Sequence, residues 1–352
     1  MTEIKLGRTE IKTNIVGFGA LPIQRVPVDY ASLLLRKAYT AGVTFYDTAR
    51  SYTDSEEKIG RSFRDIFTAT GEDFDSHRKN IYIATKTPAT NKEQLLTDLD
   101  TSLDLMGLDY IDVYQFHNPA ECPLPGDESG LYEGMLEAKK AGKIRFIGIT
   151  SHRLHVAKEA VVSGLYDTLQ FPFSYLATDE EVELVKLCQA ENVGFIAMKA
   201  LAGGLITRAD AAYAFLAQYQ DVLPIWGVQR EREIDEILGF IDNPPEMNDE
   251  LRAIIANDKK ELASDFCRSC AYCMPCPVGI IISQCARMSQ LIRRSPSSLW
   301  LNAYGQSMMS KIDECTECGE CRDKCPYHLN TPELLKNNLD DYRRILSGET
   351  NV

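Results

Sequence analysis

Eight short apolar segments, separated by amphipathic stretches, occupy the first two thirds of the chain. Apolar runs that alternate with helical patterns are typical of repeated βα units around a parallel sheet. The stretches between them carry apolar residues at every third or fourth position, which is the period of an amphipathic helix. Eight such units over roughly 240 residues match the size of a (β/α)8 barrel. The predicted strands are 14–20, 43–49, 80–87, 110–117, 144–151, 168–174, 193–200 and 222–229.

The βα pattern ends at the segment IDNPPEMND, where two adjacent prolines interrupt it. We therefore predict three parts: a TIM barrel at 1–242, a linker helix at 243–262, and a small ferredoxin-like iron-sulfur segment at 263–352 that ends in a helix starting near Thr331. The opening IKLGRTEIKT predicts a short hairpin around Gly7 that covers the bottom of the barrel.

Eight of the eleven cysteines lie in two runs within the last part of the chain. The second run reads C-x-x-C-x-x-C-x-x-x-C-P, a bacterial ferredoxin spacing in which three thiolates bind one 4Fe-4S cluster and the fourth binds a partner cluster. The first run, CRSCAYCMPCP, is one residue shorter before its last cysteine. Two runs predict two clusters with crossed fourth ligands. We assign Cys267, Cys270, Cys273 and Cys325 to one, and Cys315, Cys318, Cys321 and Cys276 to the other.

Zinc is the alternative metal for these thiols, because C-x-x-C pairs also form tetrahedral structural sites. A zinc site needs neither a third cysteine at the same spacing nor the trailing Cys-Pro, and this favours iron-sulfur. The N-terminus lacks the pattern of a secretory signal, so we expect reduced thiols in the cytoplasm. The apolar stretches are too short for a membrane span. A formal net charge of -13 argues against nucleic acid, whose phosphates need a basic face.

Four polar residues lie at or just after the ends of three successive predicted strands. They are Asp47, Tyr52, Lys86 and His117, and reactive residues of such barrels lie at the C-terminal ends of strands. Lys86 would lower the pKa of Tyr52 by favouring its phenolate, and Asp47 would fix Lys86. His117 would orient a carbonyl oxygen. The set predicts proton donation to a carbonyl while a hydride reaches its carbon.

Residues 1 to about 240 resemble an aldo/keto reductase. FYDTARSY is similar to the family segment with the catalytic Asp and Tyr, IATK to its Lys strand, and QFH to its His strand. The resemblance implies that Tyr52 is the general acid, that Lys86 and Asp47 tune it, and that His117 orients the substrate. YCMPCPVGI resembles the first motif of a family subset that carries an appended ferredoxin-like segment.

The resemblance also implies a nicotinamide site. Ser151 and Gln170 match residues that hold the carboxamide, while His152 replaces the family's Asn and Met198 its stacking Tyr. After the eighth strand, many members bind the 2'-phosphate of NADPH with Lys, Ser and Arg, where this chain has Gly, Val and Glu233. The carboxylate would repel that phosphate, and two nearby arginines would attract it, so NADH and NADPH stay open. The implied cofactor residues are Ser151, His152, Gln170, Met198, Gly227, Arg230 and Arg232.

Two functions from different classes fit these observations. The first is a reductase that uses NAD(P)H to reduce a small-molecule aldehyde, ketone or sugar-like carbonyl, with clusters that are structural or carry electrons. The second is an electron-transfer or redox-sensing protein, linked to ferredoxin or flavodoxin, whose barrel no longer turns over nicotinamide. The four polar residues favour the enzyme, because a scaffold does not need them in the mouth of its barrel.

Overall fold

The computed structural model describes residues 3–70, 74–262, 266–294 and 297–350. Eight parallel strands within them close into a barrel in which sequence neighbours are also spatial neighbours and the last strand pairs with the first. Each strand lies inside one predicted segment, so the predicted barrel is confirmed. The strands are β3 (Gly17–Gly19), β4 (Phe45–Asp47), β5 (Tyr82–Thr87), β6 (Ile111–His117), β7 (Ile144–Thr150), β8 (Thr168–Pro172), β9 (Gly194–Met198) and β10 (Val222–Gly227).

The barrel strands are buried almost from end to end, as expected for parallel strands covered on both faces. In β6 and β9 the residue that becomes partly exposed is the last one, His117 and Met198 respectively. The buried interior of the barrel therefore ends at the C-terminal edge of the strands, where side chains reach solvent.

Some helices of the barrel begin or end at residues that satisfy free backbone groups. The Asn91 side chain accepts a hydrogen bond from the backbone of Gln94, and Gly107 ends the same helix with a φ of 64°. Thr178 and Glu181 form a reciprocal capping box on another. The helices are α1 (Val28–Thr40), α2 (Ser55–Thr70), α3 (Phe74–Arg78), α4 (Lys92–Met106), α5 (Leu131–Lys140), α6 (Leu154–Val162), α7 (Asp179–Ala190), α8 (Ala209–Leu216) and α9 (Glu231–Asp242), with a 3-10 turn at Pro22–Arg25.

The predicted hairpin is present as the antiparallel pair β1 (Glu3–Lys5) and β2 (Lys12–Asn14). Its turn contains Gly7, whose φ of 55° suits glycine. The next residue, Arg8, donates side-chain hydrogen bonds to backbone carbonyls that precede β8 and β9, at Gly164, Glu191 and Asn192. The hairpin thus covers the N-terminal end of the barrel, opposite the strand ends where His117 and Met198 lie.

The chain divides into two compact units: 1–200 with 212–247, and 201–211 with 248–352. The helix that we predicted as a linker belongs to the second unit, and so do residues 201–211, which we placed in the barrel. The helices of the second unit are α10 (Asp249–Glu261), α11 (Ile282–Cys285), α12 (Met288–Arg294), α13 (Ala303–Ser310), α14 (Glu320–Asp323) and α15 (Thr331–Leu346), with 3-10 turns at Ala202–Gly204, Ser297–Leu299 and Lys311–Glu314.

Helix α15 is central to the second unit and packs against α11, α12, α13 and α14. It buries Leu335, Leu339 and Ile345 along one face. Asn338 on the same helix accepts a hydrogen bond from the backbone of Ser289 at 2.9 Å. Among the described residues, no helix combines the length and apolar character that a membrane crossing requires.

Candidate active site and cysteine-lined cavities

Asp47 and Lys86 form a buried ion pair at the C-terminal end of the barrel. Strands β4 and β5 are neighbours, and the Nζ of Lys86 lies 2.7 Å from Asp47 Oδ2 and 2.6 Å from the carbonyl oxygen of Thr48. The side chain of Lys86 is 1% exposed and that of Asp47 is 3% exposed. Burial lowers the pKa of Lys86 and raises the pKa of Asp47, and their mutual contact opposes both changes. Such a pair is costly to desolvate, so its position suggests a use beyond stability.

Tyr52 and His117 lie next to this pair. Tyr52 occupies a turn between β4 and α2, where its backbone N–H donates to the carbonyl of Ala49. Its ring centre is 5.7 Å from that of His117, with the rings nearly perpendicular, and 5.0 Å from the Nζ of Lys86. The structure therefore brings together all four residues that the sequence predicted as catalytic.

The pKa of Tyr52 is raised above its ordinary value, by burial first and then by the Asp47 carboxylate. We predicted the opposite direction, with Lys86 lowering the pKa, and that expectation is wrong for this structure. The reason is that Tyr52 is buried and lies near the Asp47 carboxylate, and both disfavour the phenolate. Tyr52 therefore keeps its proton at neutral pH.

His117 is held neutral. Burial and the positive charge of Lys86 lower the pKa of His117 to about 3. A neutral imidazole carries one N–H donor and one acceptor nitrogen. His117 can therefore donate a hydrogen bond to a carbonyl oxygen beside Tyr52 without bringing a second positive charge into the site.

Two glutamines form a buried polar layer beside Asp47. The Nε2 of Gln115 donates to Oε1 of Gln170 at 2.9 Å, and both amides favour the charged form of Asp47. Gln170 was predicted to hold a carboxamide, and here it also belongs to this layer. Within the described part of the chain, Gln115 Oε1 and Asp47 Oδ1 are buried without a hydrogen-bond partner. The sequence prediction missed Gln115, although its position two residues before His117 places it on the same side of β6.

Asn118 joins the loops that follow β6 and β7. Its backbone has a φ of 54°, its N–H donates to the carbonyl of Thr150, and its Oδ1 accepts from the backbone N–H of His152 at 2.8 Å. Ser151 Oγ accepts from the backbone of Arg153 at 2.9 Å. Both predicted carboxamide residues in this loop, Ser151 and His152, are buried. Asn118 was missed from the sequence, where its place directly after His117 was the available signal.

The remaining predicted cofactor residues lie around other strand ends. Met198 ends β9, Gly227 ends β10, and Arg230 and Arg232 lie at the start of α9. Oε2 of Glu233 accepts hydrogen bonds from the backbone N–H groups of Gln229 (3.0 Å) and Arg230 (3.2 Å). The Arg230 guanidinium also lies 3.5 Å from the Glu233 carboxylate. One carboxylate thus already accepts from two backbone donors directly before this helix, and the N–H of Glu231 donates to the Tyr30 hydroxyl.

The second unit contains two cysteine-lined cavities, which we call cavity A and cavity B. Cys273 borders both cavities. Cavity A is lined by Cys267, Cys270, Cys273 and Cys325, and cavity B by Cys273, Cys276, Cys315, Cys318 and Cys321.

The loops of the two cysteine runs have the same backbone form. The residue before the second cysteine has a positive φ in each, 53° at Ser269 and 54° at Glu317. The residue after that cysteine also has a positive φ, 66° at Ala271 and 80° at Gly319. The described residues hold no group of three or more His, Cys, Asp or Glu side chains placed to bind a single metal ion. The cysteines in the described part of the chain form no disulfide, and Cys122, Cys188 and Cys285 are buried outside both cavities.

Two family models match the chain. The model of the aldo/keto reductase family matches residues 15–212, and a model described as a 4Fe-4S dicluster domain matches residues 266–330. The first spans β3 to β9, so Gly227, Arg230 and Arg232 lie outside both matches. The second contains all eight cysteines of the two runs.

Similar proteins include oxidoreductases of plants and bacteria. L-galactose dehydrogenase of Arabidopsis thaliana is 30% identical over 226 residues, 59% of this chain and 68% of that protein. L-glyceraldehyde 3-phosphate reductase of Escherichia coli is 30% identical over 194 residues, 49% of this chain and 53% of that protein. A solved aldo-keto reductase from Bacillus halodurans has a TM-score of 0.62 at 19% identity, covering 73% of this chain and 96% of the other. That structural likeness concerns the fold alone.

Proposed function

We propose that this chain, which belongs to the aldo/keto reductase family, is an enzyme that reduces an aldehyde, ketone or sugar-like carbonyl with a nicotinamide as hydride donor. The observation that carries the proposal is the contact between the buried Asp47–Lys86 pair and the rings of Tyr52 and His117 at the C-terminal end of the barrel. An acid, a charge pair and an orienting group at that end of a barrel are what proton donation to a carbonyl requires.

In this proposal Tyr52 gives its phenolic proton to the carbonyl oxygen. Because burial and Asp47 raise the pKa of Tyr52, it releases the proton only to a base stronger than a phenolate, and a developing alkoxide is such a base. Lys86 then lies near the new phenolate. The bound nicotinamide supplies the hydride to the carbonyl carbon.

His117 would orient the carbonyl in this scheme. Its N–H would donate to the carbonyl oxygen, and its depressed pKa keeps it from competing with Tyr52 as the proton donor. The two ring centres are 5.7 Å apart and nearly perpendicular, and we propose that both polar groups meet at one carbonyl oxygen. The two groups thus divide the work: His117 positions the oxygen and Tyr52 protonates it.

The residues at the strand ends fit a nicotinamide in the barrel mouth. Met198 is the partly exposed last residue of β9, and its thioether can cover one face of an aromatic ring. Ser151, His152 and Gln170 supply the polar groups that a carboxamide needs. We propose that these four residues hold the nicotinamide beside Tyr52.

NADH is the cofactor that we propose over NADPH. The backbone donors at the start of α9 bind the Glu233 carboxylate, and Arg230 lies 3.5 Å from the same group. A 2'-phosphate would have to compete with a carboxylate for these donors while being repelled by its charge. Arg232, on the first turn of α9, would attract a phosphate from outside this arrangement.

The second unit would carry two 4Fe-4S clusters, one in each cavity. Four thiols surround cavity A, three from the first run and Cys325 from the second. Cavity B is lined by three cysteines of the second run and by Cys273 and Cys276 of the first, and we propose that Cys276 is its fourth ligand. Each cluster would therefore join the two runs. Because a nicotinamide transfers two electrons and a cluster one, we assign the clusters first to holding this unit together.

Analysis of anaerobically prepared protein tests the clusters. We expect about eight iron and eight acid-labile sulfide atoms per chain. In the cell, such clusters need a reducing compartment, and we propose the cytoplasm. Cys325→Ala and Cys276→Ala should each remove one cluster, and Cys285→Ala, which changes a buried thiol outside both cavities, should remove none. Zinc without sulfide would contradict the proposal.

Nicotinamide titration separates the enzyme from an electron-transfer scaffold. Saturable quenching of protein fluorescence by NADH, followed by carbonyl reduction, supports the enzyme. Absence of nicotinamide binding, together with rapid cluster reduction by ferredoxin or flavodoxin, would support the scaffold instead.

A further inference from the structure

The chain passes from the first unit to the second directly after strand β9. Met198 ends that strand, and residues 201–211 belong to the second unit. Three consecutive residues of this segment have positive φ angles, 48° at Ala202, 67° at Gly203 and 95° at Gly204. Left-handed backbone is unfavourable for an alanine, and such a conformation persists only where surrounding contacts hold it.

Two arginines of the second unit hold residues 201–205, which we call the crossing loop. Nη1 of Arg287 donates a hydrogen bond to the carbonyl of Gly203 at 2.8 Å, and Nη1 of Arg294 donates to the carbonyl of Leu205 at 2.9 Å. Arg287 is buried, and the side chain of Arg294 is 11% exposed. The backbone of the crossing loop is therefore tied to helix α12 and to the turn that precedes it.

Gly203 allows Arg287 to approach the crossing loop closely. A methyl group on the α-carbon of Gly203 would lie 2.9 Å from Nη1 of Arg287 and 3.9 Å from Cβ of Ser269. Ser269 lies between Cys267 and Cys270 in the first cysteine run. The crossing loop is therefore close both to Arg287 and to a loop that carries cysteines of cavity A.

Arg287 is also linked to the cavities through helix α11. Ile282, the first residue of this helix, lines both cavity A and cavity B. The helix ends at Cys285, and the backbone N–H of Arg287 donates to the carbonyl of Gln284 at 3.2 Å. A structure that fixes the walls of the cavities thus also fixes Arg287, and through it the crossing loop.

Strand β9 alone holds Met198 only at its edge. The last ladder contact is the hydrogen bond from the backbone N–H of Phe173 to the carbonyl of Met198 at 3.0 Å. The next residue, Lys199, has a positive φ of 58°. The end of a strand frays readily unless the chain beyond it is held. The bonds to the crossing loop hold the chain within a few residues of Met198.

We propose that Arg287 is a positioning residue for the nicotinamide site. By holding the crossing loop, it keeps the end of β9 and the Met198 side chain in the arrangement that covers the nicotinamide ring. The inference rests on the nicotinamide site proposed above. Arg287 touches neither cofactor nor substrate in this account. It strengthens binding because the chain next to Met198 is already ordered before the nicotinamide arrives.

Arg287→Ala, compared with two other variants of the anaerobic holoprotein, tests this inference. The Kd for NADH, measured by fluorescence quenching, should rise by about fivefold or more, while the single-turnover rate of carbonyl reduction at saturating NADH stays within about twofold. Arg287→Lys can still donate a hydrogen bond to Gly203 and should retain most of the affinity. Arg293→Ala removes an arginine of the same unit that pairs with Asp341, and should leave the Kd unchanged.

Gly203→Ala tests the same contact from the other side. The added methyl group would lie 2.9 Å from Arg287, and it should raise the Kd for NADH as Arg287→Ala does. Gly142→Ala is the matched control, because Gly142 has a φ of 75° and open space around it. It introduces the backbone strain without the contact. Hydrogen exchange of the amides of 199–206 should be faster in Arg287→Ala and Gly203→Ala than in the wild type, and unchanged in Gly142→Ala.

The iron and sulfide contents of each variant separate positioning from loss of the clusters. If Arg287→Ala loses iron, the comparison of Gly203→Ala with Gly142→Ala decides. An unchanged Kd for NADH in variants with the wild-type iron content would overturn the inference alone, and so would an equal rise of the Kd in Arg293→Ala or Gly142→Ala. Wild-type protein that does not bind NADH would overturn the proposed nicotinamide site and the inference together.

Discussion

The Nζ of Lys86 lies 2.7 Å from Oδ2 of Asp47, and both side chains are almost completely excluded from water. Removing one partner from such a pair leaves an uncompensated buried charge. Lys86→Met should therefore lower the free energy of unfolding of the barrel by about 3–5 kcal/mol, measured by urea denaturation. Lys86→Met combined with Asp47→Asn should be less destabilised than Lys86→Met alone, because no charge remains.

An exposed ion pair provides the comparison for this prediction. Lys12 and Glu3 lie 3.0 Å apart on the hairpin, with side chains 60% and 63% exposed. Lys12→Met should cost less than about 1 kcal/mol, since solvent screens such pairs. Equal losses in Lys12→Met and Lys86→Met would contradict the importance that we assign to burial.

The depressed pKa of His117 predicts how stability depends on pH. The folded protein keeps His117 neutral down to about pH 3, whereas the unfolded chain protonates it near pH 6.5. The unfolded state therefore binds more protons below pH 6.5, and stability falls as the pH decreases through that window.

His117→Asn should reduce this dependence by up to about 1.4 kcal/mol per pH unit, measured by urea denaturation between pH 7.5 and 5.5. His155→Asn, at an exposed position on α6, should leave it as in the wild type. If the free energy of unfolding of His117→Asn depends on pH as steeply as that of the wild type, other groups cause the dependence.

The charge of Glu233 should determine the preference for NADH over NADPH. Glu233→Gln keeps an oxygen that can accept the backbone hydrogen bonds of Gln229 and Arg230, but removes the negative charge. The ratio of kcat/KM for NADPH to that for NADH should rise about tenfold, which corresponds to 1.4 kcal/mol of removed repulsion. Glu231→Gln is the matched control, because this neighbour pairs with Lys37 at 3.0 Å instead. An equal change in both variants would show that the loss of any negative charge at the start of α9 has this effect, and not the loss of the Glu233 charge in particular.

Substitution of Asn118 should affect cofactor binding, although in our proposal Asn118 does not contact the substrate carbonyl. Asn118→Asp retains an acceptor for the His152 N–H and tolerates the positive φ, whereas Asn118→Ala retains neither. Asn118→Ala should cost about 1–3 kcal/mol in stability and raise the KM for NADH, and Asn118→Asp should be much milder. Steady-state kinetics against NADH concentration check this, and indistinguishable KM values for the two variants would contradict the role.

The strands and the proximity of Asp47, Tyr52, Lys86 and His117 could be predicted because both follow from short sequence patterns. Apolar runs of strand length alternate with helical periods, and residues such as Asp47 and His117 lie at strand ends, which a parallel barrel gathers at one edge. The crossed cysteine assignment stays a prediction from the spacing of the two runs; Cys325 lines cavity A together with three cysteines of the first run, whereas Cys273 lines both cavities.

What escaped prediction depends on side-chain contacts between distant segments. Gln115 and Gln170 are 55 residues apart, and only the barrel brings their amides together beside Asp47. The direction of the Tyr52 pKa shift depends on the burial of its ring and on the nearness of the Asp47 carboxylate, neither of which the sequence contains.

The most direct test of the account is the rate of carbonyl reduction by Tyr52→Phe, measured with NADH in a single turnover. This variant keeps the ring against His117 and loses only the hydroxyl group that carries the proton. We predict that the Kd for NADH, measured by fluorescence quenching, stays within about twofold of the wild-type value. The reduction rate should fall by about 100-fold or more. An unchanged reduction rate in Tyr52→Phe would contradict the assignment of Tyr52 as the general acid and, with it, the proposed mechanism.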